Sequence, residues 1–540
     1  MTEASFDSFA RDHLPPRDQW PDLILGPDTT YPDRLNAAVE FVDKWAAQDP
    51  GRPAVRWPDG LWKYGDLAKK INRIANVLTA KLDLIPGNRV LLRAANNPMM
   101  VACYFAVLKA GGIPVGTMPL LRSRELETIA SKAQIRLALC DADLTTELQD
   151  AMERGTALER IVAFSGDGAE DQELECAMTE ASDSFEAADT AADDVALIAF
   201  TSGSTGKPKA TMHFHRDLLA VCDTFSKHIL KPEPDDIFCG SPPLAFTFGL
   251  GGLVLFPFRV GASTFLMEKP SPPLLGEAIG RFKPTVCFTA PTGYRVLAQM
   301  VQDGEVDLTS LRKCVSAGET LPAATFEAFK QATGLSIIDG IGATEMLHIF
   351  ISAAGEDIRP GSTGKPVPGY EARVVDDAMN ELRAGTVGSL AVRGPTGCRY
   401  LADDRQRNYV WSGWNLTGDA YVMDEDGYFW FQARADDMIV SSGYNIGGPE
   451  VEDALLAHPD VADCAVVGAP DQARGQIVKA YVILAAGVTA DEDKIKALQD
   501  FVKGEIAPYK YPRAIEFVSA LPRTETGKVQ RFKLRQQEDA

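Results

Sequence analysis

Cysteine is sparse in this chain, nine in 540 residues, and no two cysteines form a Cys-x-x-Cys pair. Cys103, Cys140, Cys176, Cys222, Cys239, Cys287, Cys314, Cys398 and Cys464 have neither metal-ligand nor redox spacing. All nine therefore read as small buried hydrophobes of a protein kept in a reducing cytoplasm. A long hydrophobic run is also missing. The longest apolar stretch, 244–258, contains Thr247 and Pro257 and falls short of the roughly 20 residues that a membrane-spanning helix needs. The opening MTEASFDSFARDHLPP develops no uninterrupted apolar segment and does not read as a secretory leader. Basic residues are in deficit, 54 Lys and Arg against 75 Asp and Glu, for a formal charge of -21. That field disfavours nucleic acid and anionic membranes as partners. It also opposes any anionic ligand, so a site for one must gather cations and backbone N–H groups locally.

What is present points to an α/β protein of at least two domains, since 540 residues exceed what one core supports. Leu67, Ile71, Ile74, Val77, Leu78 and Leu82 share one face of a helix. Short apolar runs at 195–200, 285–289, 313–317 and 336–339 each end in small or polar residues and read as buried strands. Between the last two lies a helical pattern over 321–333, with Pro322 near its start and Gly334 just past its end. Strands alternating with helices imply a sheet whose ligands sit at the carboxyl ends of its strands. The texture changes after Gly427, and a boundary near Asp436 divides 1–435 from a small α+β domain over 436–540. The acidic stretch 165–194 reads as an exposed linker or loop.

The most specific segment follows the apolar strand ending at Phe200: Thr201, Ser202, Gly203, Ser204, Thr205, Gly206, Lys207, Pro208, Lys209. Gly203 and Gly206 permit close backbone approach, and the hydroxyls with Lys207 and Lys209 can bind phosphate oxygens. It is not a Walker A loop, because Thr201 and Pro208 stand where that pattern needs Gly and Ser/Thr. The loop resembles the phosphate-binding signature of the adenylate-forming superfamily of acyl-CoA synthetases, luciferases and adenylation domains. Further motifs follow in family order: Asp339-Gly-Ile-Gly-Ala-Thr-Glu345, Leu416-Thr-Gly-Asp419, Ala433-Arg-Ala-Asp-Asp437, Ser441-Ser-Gly-Tyr-Asn445 and Leu521-Pro-Arg-Thr-Glu-Thr-Gly-Lys528. The likeness is strongest to benzoate- and 2-aminobenzoate-CoA ligases, through 340–350, 507–513 and 529–534.

The resemblance implies the large-plus-small-domain fold of that superfamily and a two-step reaction, in which ATP adenylates a carboxylic acid and coenzyme A then takes the acyl group. Thr344 is expected at the α-phosphate and Glu345 on magnesium, with Asp419 on the ribose hydroxyls and Arg434 on ribose or phosphate. Ser316, Ala317, Gly318, Glu319, Asp339 and Gly340 are expected as adenine walls. Lys528 is the implied catalytic lysine, bridging carboxylate and α-phosphate. Asp436 is the implied hinge, and Ser441, Ser442 and Gly443 the loop that admits coenzyme A.

Substrate choice rests on Phe246, Thr247, Phe248, Gly249, Ala290, Ala317, Ile341, Gly342 and His348, which suggest a flat apolar pocket for a small aromatic acid. Thr247 and Phe248 stand where the benzoate enzymes have Ala and Tyr, which favours a substituted ring such as 2-aminobenzoate. His348 reads equally as a satisfied wall residue or as a substrate ligand. The alternative activity is loading of an aryl acid onto a separate carrier protein. A monomer or homodimer is expected.

Overall fold

The computed structural model describes residues 6–168, 172–201, 208–434, 437–441, 444–471, 475–506, 508–523 and 528–538. Three of the four residues of the implied hinge and coenzyme A loop, and most of the implied phosphate loop, are affected: Ser202, Gly203, Ser204, Thr205, Gly206 and Lys207, with Asp436, Ser442 and Gly443, lie outside the described residues.

The dominant element is a nine-stranded sheet. Its centre is parallel and runs, in spatial order, through Ile337–Gly342, Lys313–Ser316, Val286–Thr289, Ile237–Gly240, Ser263–Phe265 and Pro53–Trp57. Antiparallel strands extend it on both sides, Gly60–Lys63 at one edge and Ile349–Ser352 with Lys365–Pro366 at the other. A second sheet, wholly parallel, consists of Ile113–Thr117, Arg89–Arg93, Leu137–Asp141 and Arg160–Phe164. Its central strands are buried along their whole length, with Val90, Leu91 and Leu92 in one and Leu137, Ala138 and Leu139 in the other.

The helix expected from periodicity spans Tyr64–Ala80, with Leu67, Ile71, Ile74, Val77 and Leu78 all buried. Ala323–Thr333 also forms, with Pro322 as its N-cap and Gly334 closing it at φ 75°. The stretch from Thr247 to Arg259 is a helical run through the core, where Leu253, Leu255, Phe256 and Phe258 are fully enclosed. No helix among the described residues is long and apolar enough to cross a membrane.

Three expectations need correction. Strand Val195–Thr201 does not join the parallel sheet; it forms an antiparallel hairpin with Lys209–Phe214 and lies beside Ile113–Thr117. The acidic stretch is not a simple exposed loop, because helix Glu173–Thr179 within it buries Leu174 and Met178. Beyond that helix, the Asn72 and Asn76 amides donate to the carbonyls of Asp183, Ser182 and Ser184. Cys176, on the outer face of the same helix, is exposed, while the other eight cysteines are buried.

Residues 371–434 form a five-stranded antiparallel sheet, and a smaller C-terminal domain is built on Ile439–Ser441, Tyr444–Ile446, Val461–Asp471, Gly475–Leu484 and Ala514–Phe517. Helices Gly448–Leu456 and Glu492–Glu505 cover it around Val451, Leu455, Leu498 and Val502. Among the described residues, one polar contact of this domain with the larger one is made by Arg295, which donates to the Ala462 carbonyl at 3.1 Å and lies 3.9 Å from Asp463.

The larger core is tightly aromatic. Phe105 is fully buried and stacks on Phe258 at 5.7 Å between ring centroids. Phe105→Ala is expected to cost about 3–5 kcal/mol, the usual range for an emptied aromatic core site, measured as a lowered urea midpoint at unchanged slope.

Candidate functional site

The carboxyl ends of three neighbouring parallel strands lie in register: Thr289 opposite Ser316, and Ser316 opposite Asp339. The segments leaving them therefore converge on one edge. Ala290 caps helix Pro291–Gln302 there, and Ala317, Gly318 and Glu319 follow Ser316. Gly318 holds φ +92°, a conformation that side-chain-bearing residues rarely adopt. Strand Ile337–Gly342 carries Asp339, Gly340 and Ile341 to the same edge, with Gly342 exposed at its tip. Gly340 has a steric reason to be glycine, since a Cβ there would lie 2.6 Å from Ile349 Cγ2.

After this strand comes the short turn Thr344–Met346, which buries Glu345. The Tyr400 hydroxyl donates to Glu345 Oε1. Lys209 Nζ sits 5.3 Å from the centre of the Tyr400 ring. The last lysine of the phosphate-loop segment and the Glu345 carboxylate are thus joined through one phenol. Burial, with Cys398 and Glu345 nearby, pushes the Tyr400 phenol well up, so it remains a donor.

Asp419 and Arg434 face each other across antiparallel strands, and Arg434 Nη1 donates to Asp419 Oδ1 at 2.8 Å. Burial raises the Asp419 carboxyl, and Arg434 opposes that rise. Lys528 arrives from the smaller domain. A Cβ added to Gly318 would stand 3.8 Å from its Cε. Lys528 is exposed in an open cleft, yet the surrounding protein lowers its ammonium; Glu319 and Asp419 oppose that shift and Arg434 adds to it. Glu319 is raised by burial, against the pull of Arg523 and Lys528. Lys528, Glu319, Asp419 and Arg434 therefore share one cleft above the sheet edge.

Not every expected residue joins them. Ser441 is buried in the smaller domain's sheet, in register with Gly475. Phe246 is half-buried just before helix Thr247–Leu250, Thr247 is buried within that helix, and Gly249 packs so close that a Cβ would meet the Pro243 carbonyl oxygen at 2.1 Å. Phe248 turns towards His348, 5.7 Å between ring centroids.

His348 is enclosed by Phe225, Phe248, Phe256 and Phe288, at centroid separations from 4.5 to 6.5 Å. Burial pushes its imidazole down to about 3, only slightly countered by the Phe248 backbone, so the ring is neutral. Neither nitrogen makes a well-formed hydrogen bond among the described residues. Gly251 makes room for the ring, since a Cβ there would meet His348 Cδ2 at 2.3 Å. Sequence reasoning found His348 and Phe248 but missed Phe225, Phe256 and Phe288, because aromatic residues inside apolar runs look like ordinary core. It also missed Tyr400, for which spacing offers no signal.

Asp339 has an enclosed Oδ1 without a well-formed hydrogen bond among the described residues, and burial raises its carboxyl to about 8, against the opposing Gly340 backbone and Ser316 hydroxyl. Between the ordinary carboxyl range and about pH 8, the unfolded chain gives up a proton that the folded chain keeps. The stability this group contributes is therefore full at low pH and lost as pH rises. In the ligand-free protein, Asp339→Asn should melt higher than wild type at about pH 8, with the gain shrinking towards about pH 4. Paired thermal melts across that range check it.

The profile of the AMP-binding enzyme family matches residues 42–400, and that of the AMP-binding enzyme C-terminal domain matches 450–528. The chain is similar to benzoate–CoA ligase of Thauera aromatica, 35% identical over 517 residues that cover 94% of this chain and 97% of that protein. It is also 32% identical, over 534 residues, to the mitochondrial acyl-coenzyme A synthetase ACSM3 of Homo sapiens, covering 94% of this chain and 90% of that one. The solved structure of the anthranilate CoA ligase AuaEII in complex with anthranoyl-AMP superposes with a TM-score of 0.89 at 36% identity, covering 95% of this chain and 99% of that one. A benzoate CoA ligase from Burkholderia xenovorans LB400 superposes at 0.84 with 31% identity, covering 93% and 100% respectively.

Proposed function

The chain belongs to the AMP-binding enzyme family, and from that premise we propose that it adenylates an aromatic carboxylic acid with ATP and transfers the acyl group to coenzyme A. The observation that carries the reading is the meeting of Lys528 with Glu319, Asp419 and Arg434 at the carboxyl edge of the parallel sheet. A carboxylate is a poor acyl donor, because it is anionic and its oxygen leaves badly. Joining it to the α-phosphate of ATP creates a good leaving group, but two anions must first be brought into line.

On this reading Ser316, Ala317, Gly318 and Glu319, with Asp339 and Gly340, enclose the adenine, and Asp419 accepts the ribose hydroxyls beside Arg434. Residues 201–207 and Lys209 receive the phosphates, and Thr344 donates its hydroxyl to the α-phosphate. Lys528 supplies the positive charge between carboxylate and phosphate, on the open side of the cleft. Glu345 fits a magnesium ion: its Oε1 accepts from Tyr400, and none of the ion pairs found among the described residues involves it. One buried carboxylate, with substrate phosphates and waters, is the donor set this cation ordinarily takes. Bound there, magnesium would neutralise phosphate charge.

For the second step we propose a domain boundary at 435/436, with rotation about Asp436 that withdraws Lys528 and brings in the loop Ser441, Ser442 and Gly443. The burial of Ser441 in the observed arrangement is consistent with a need for such a rearrangement. The acid is read as benzoate-like, and specifically as a substituted benzoate such as 2-aminobenzoate. The neutral, aromatic surroundings of Phe248 and His348 and the similarity to benzoate and anthranilate ligases support this. A cytoplasmic setting is proposed from the unpaired cysteines.

Two measurements test the proposal. Benzoate, 2-aminobenzoate, hydroxybenzoates, phenylacetate and a medium-chain fatty acid are supplied with ATP and magnesium, and pyrophosphate release and coenzyme A thioester are scored separately. Turnover of aryl acids is expected; thioester from the fatty acid alone refutes the aryl assignment, and adenylation without coenzyme A acceptance supports carrier loading. Lys528→Ala should slow adenylation at least about 100-fold, the scale of one positioned transition-state donor, while sparing thioester formation from supplied acyl adenylate.

A further inference from the structure

Beneath the cleft lies a charged group that the reading above does not use. Asp217 and Arg399 are both wholly buried and paired at 2.8 Å, Arg399 Nη1 donating to Asp217 Oδ2. The guanidinium lies 4.0 Å from the centre of the Phe214 ring. The pair is incompletely satisfied, since Asp217 Oδ1, Arg399 Nε and Arg399 Nη2 lack hydrogen-bond partners among the described residues. Burying such a pair is often no better for stability than an apolar replacement of equal volume.

His213 lies beside this pair, although its Nδ1 makes no well-formed hydrogen bond among the described residues. It lies on strand Lys209–Phe214, fully buried, with Nδ1 3.8 Å from Asp217 Oδ2 and Nε2 2.7 Å from the Thr344 carbonyl oxygen. A carbonyl can only accept, so Nε2 carries the hydrogen and the ring is oriented with its other edge towards Asp217. The Thr344 carbonyl opens the turn Thr344–Met346, and Leu347 leaves that turn at φ +71°, an unfavourable conformation for a bulky residue. At the far end of the turn, Thr396 Oγ1 donates to the Met346 carbonyl at 2.8 Å. The turn bearing Thr344 and Glu345 is thus held by a side chain at each end.

We propose that His213, packed in the core beside the Asp217–Arg399 pair, is a positioning residue for adenylate formation, fixing through the Thr344 carbonyl the turn that presents Thr344 and Glu345. The inference rests on the reading that this turn meets the reacting phosphate. A displacement of about 1 Å in such a group costs on the order of 100-fold.

The test uses full-length wild type, His213→Ala and His213→Gln, whose amide can still donate to the same carbonyl. Wild type is first assayed by ATP–pyrophosphate exchange with benzoate, 2-aminobenzoate and a medium-chain acid. A wrong acid then shows in the wild type, whereas a wrong role for His213 shows only in the variants. With the best acid, His213→Ala should lower kcat of exchange by about 10- to 100-fold, leave KM for the acid within about threefold, and spare thioester formation from supplied adenylate. His213→Gln should recover about tenfold of that loss. Thermal melts confirm that both variants are folded. Equal loss in both half-reactions, or exchange by a folded His213→Gln no better than by His213→Ala, overturns the assignment.

Discussion

Like charges repel, and this chain must manage that repulsion inside a molecule that is itself strongly anionic. The cleft above the parallel sheet is where the problem is met. Lys528 and Arg434 stand beside Glu319 and Asp419, so the cations are held by local carboxylates before any ligand arrives. Such pre-positioned charge costs little reorganisation when a reaction begins. The arrangement needs parts distant in sequence, and the large sheet supplies the common edge at which they meet.

That edge was largely readable from the sequence, because the forces that build it are local. Alternation of short apolar strands with amphipathic helices gave the α/β class, and Pro322 and Gly334 marked the limits of one helix within a residue or two. The antiparallel hairpin of Val195–Thr201 and Lys209–Phe214 was not readable as such, since a buried strand looks alike whichever way its neighbour runs. The acidic segment misled for a different reason. Its composition suggested solvent, yet the short helix within it buries Leu174 and Met178 against the core.

The candidate residues were legible where residue types cluster in motifs and hidden where they act singly. Thr344, Glu345, Asp419 and Lys528 lie in recognisable motifs. His213 and Tyr400 do not: one reaches Thr344 across 131 positions and the other reaches Glu345 across 55. Such contacts belong to the tertiary structure alone. The aromatic cage about His348 follows the same rule, for Phe225, Phe256 and Phe288 come from three separate segments.

The contact that Arg295 makes between the two domains has a consequence of its own. Arg295 reaches the smaller domain through a partly exposed guanidinium, and bonds of that kind contribute at most about 1 kcal/mol in water. On the proposed reading of the second step, a contact this weak would add little to the cost of turning the smaller domain, so nucleotide binding or release could bias its position.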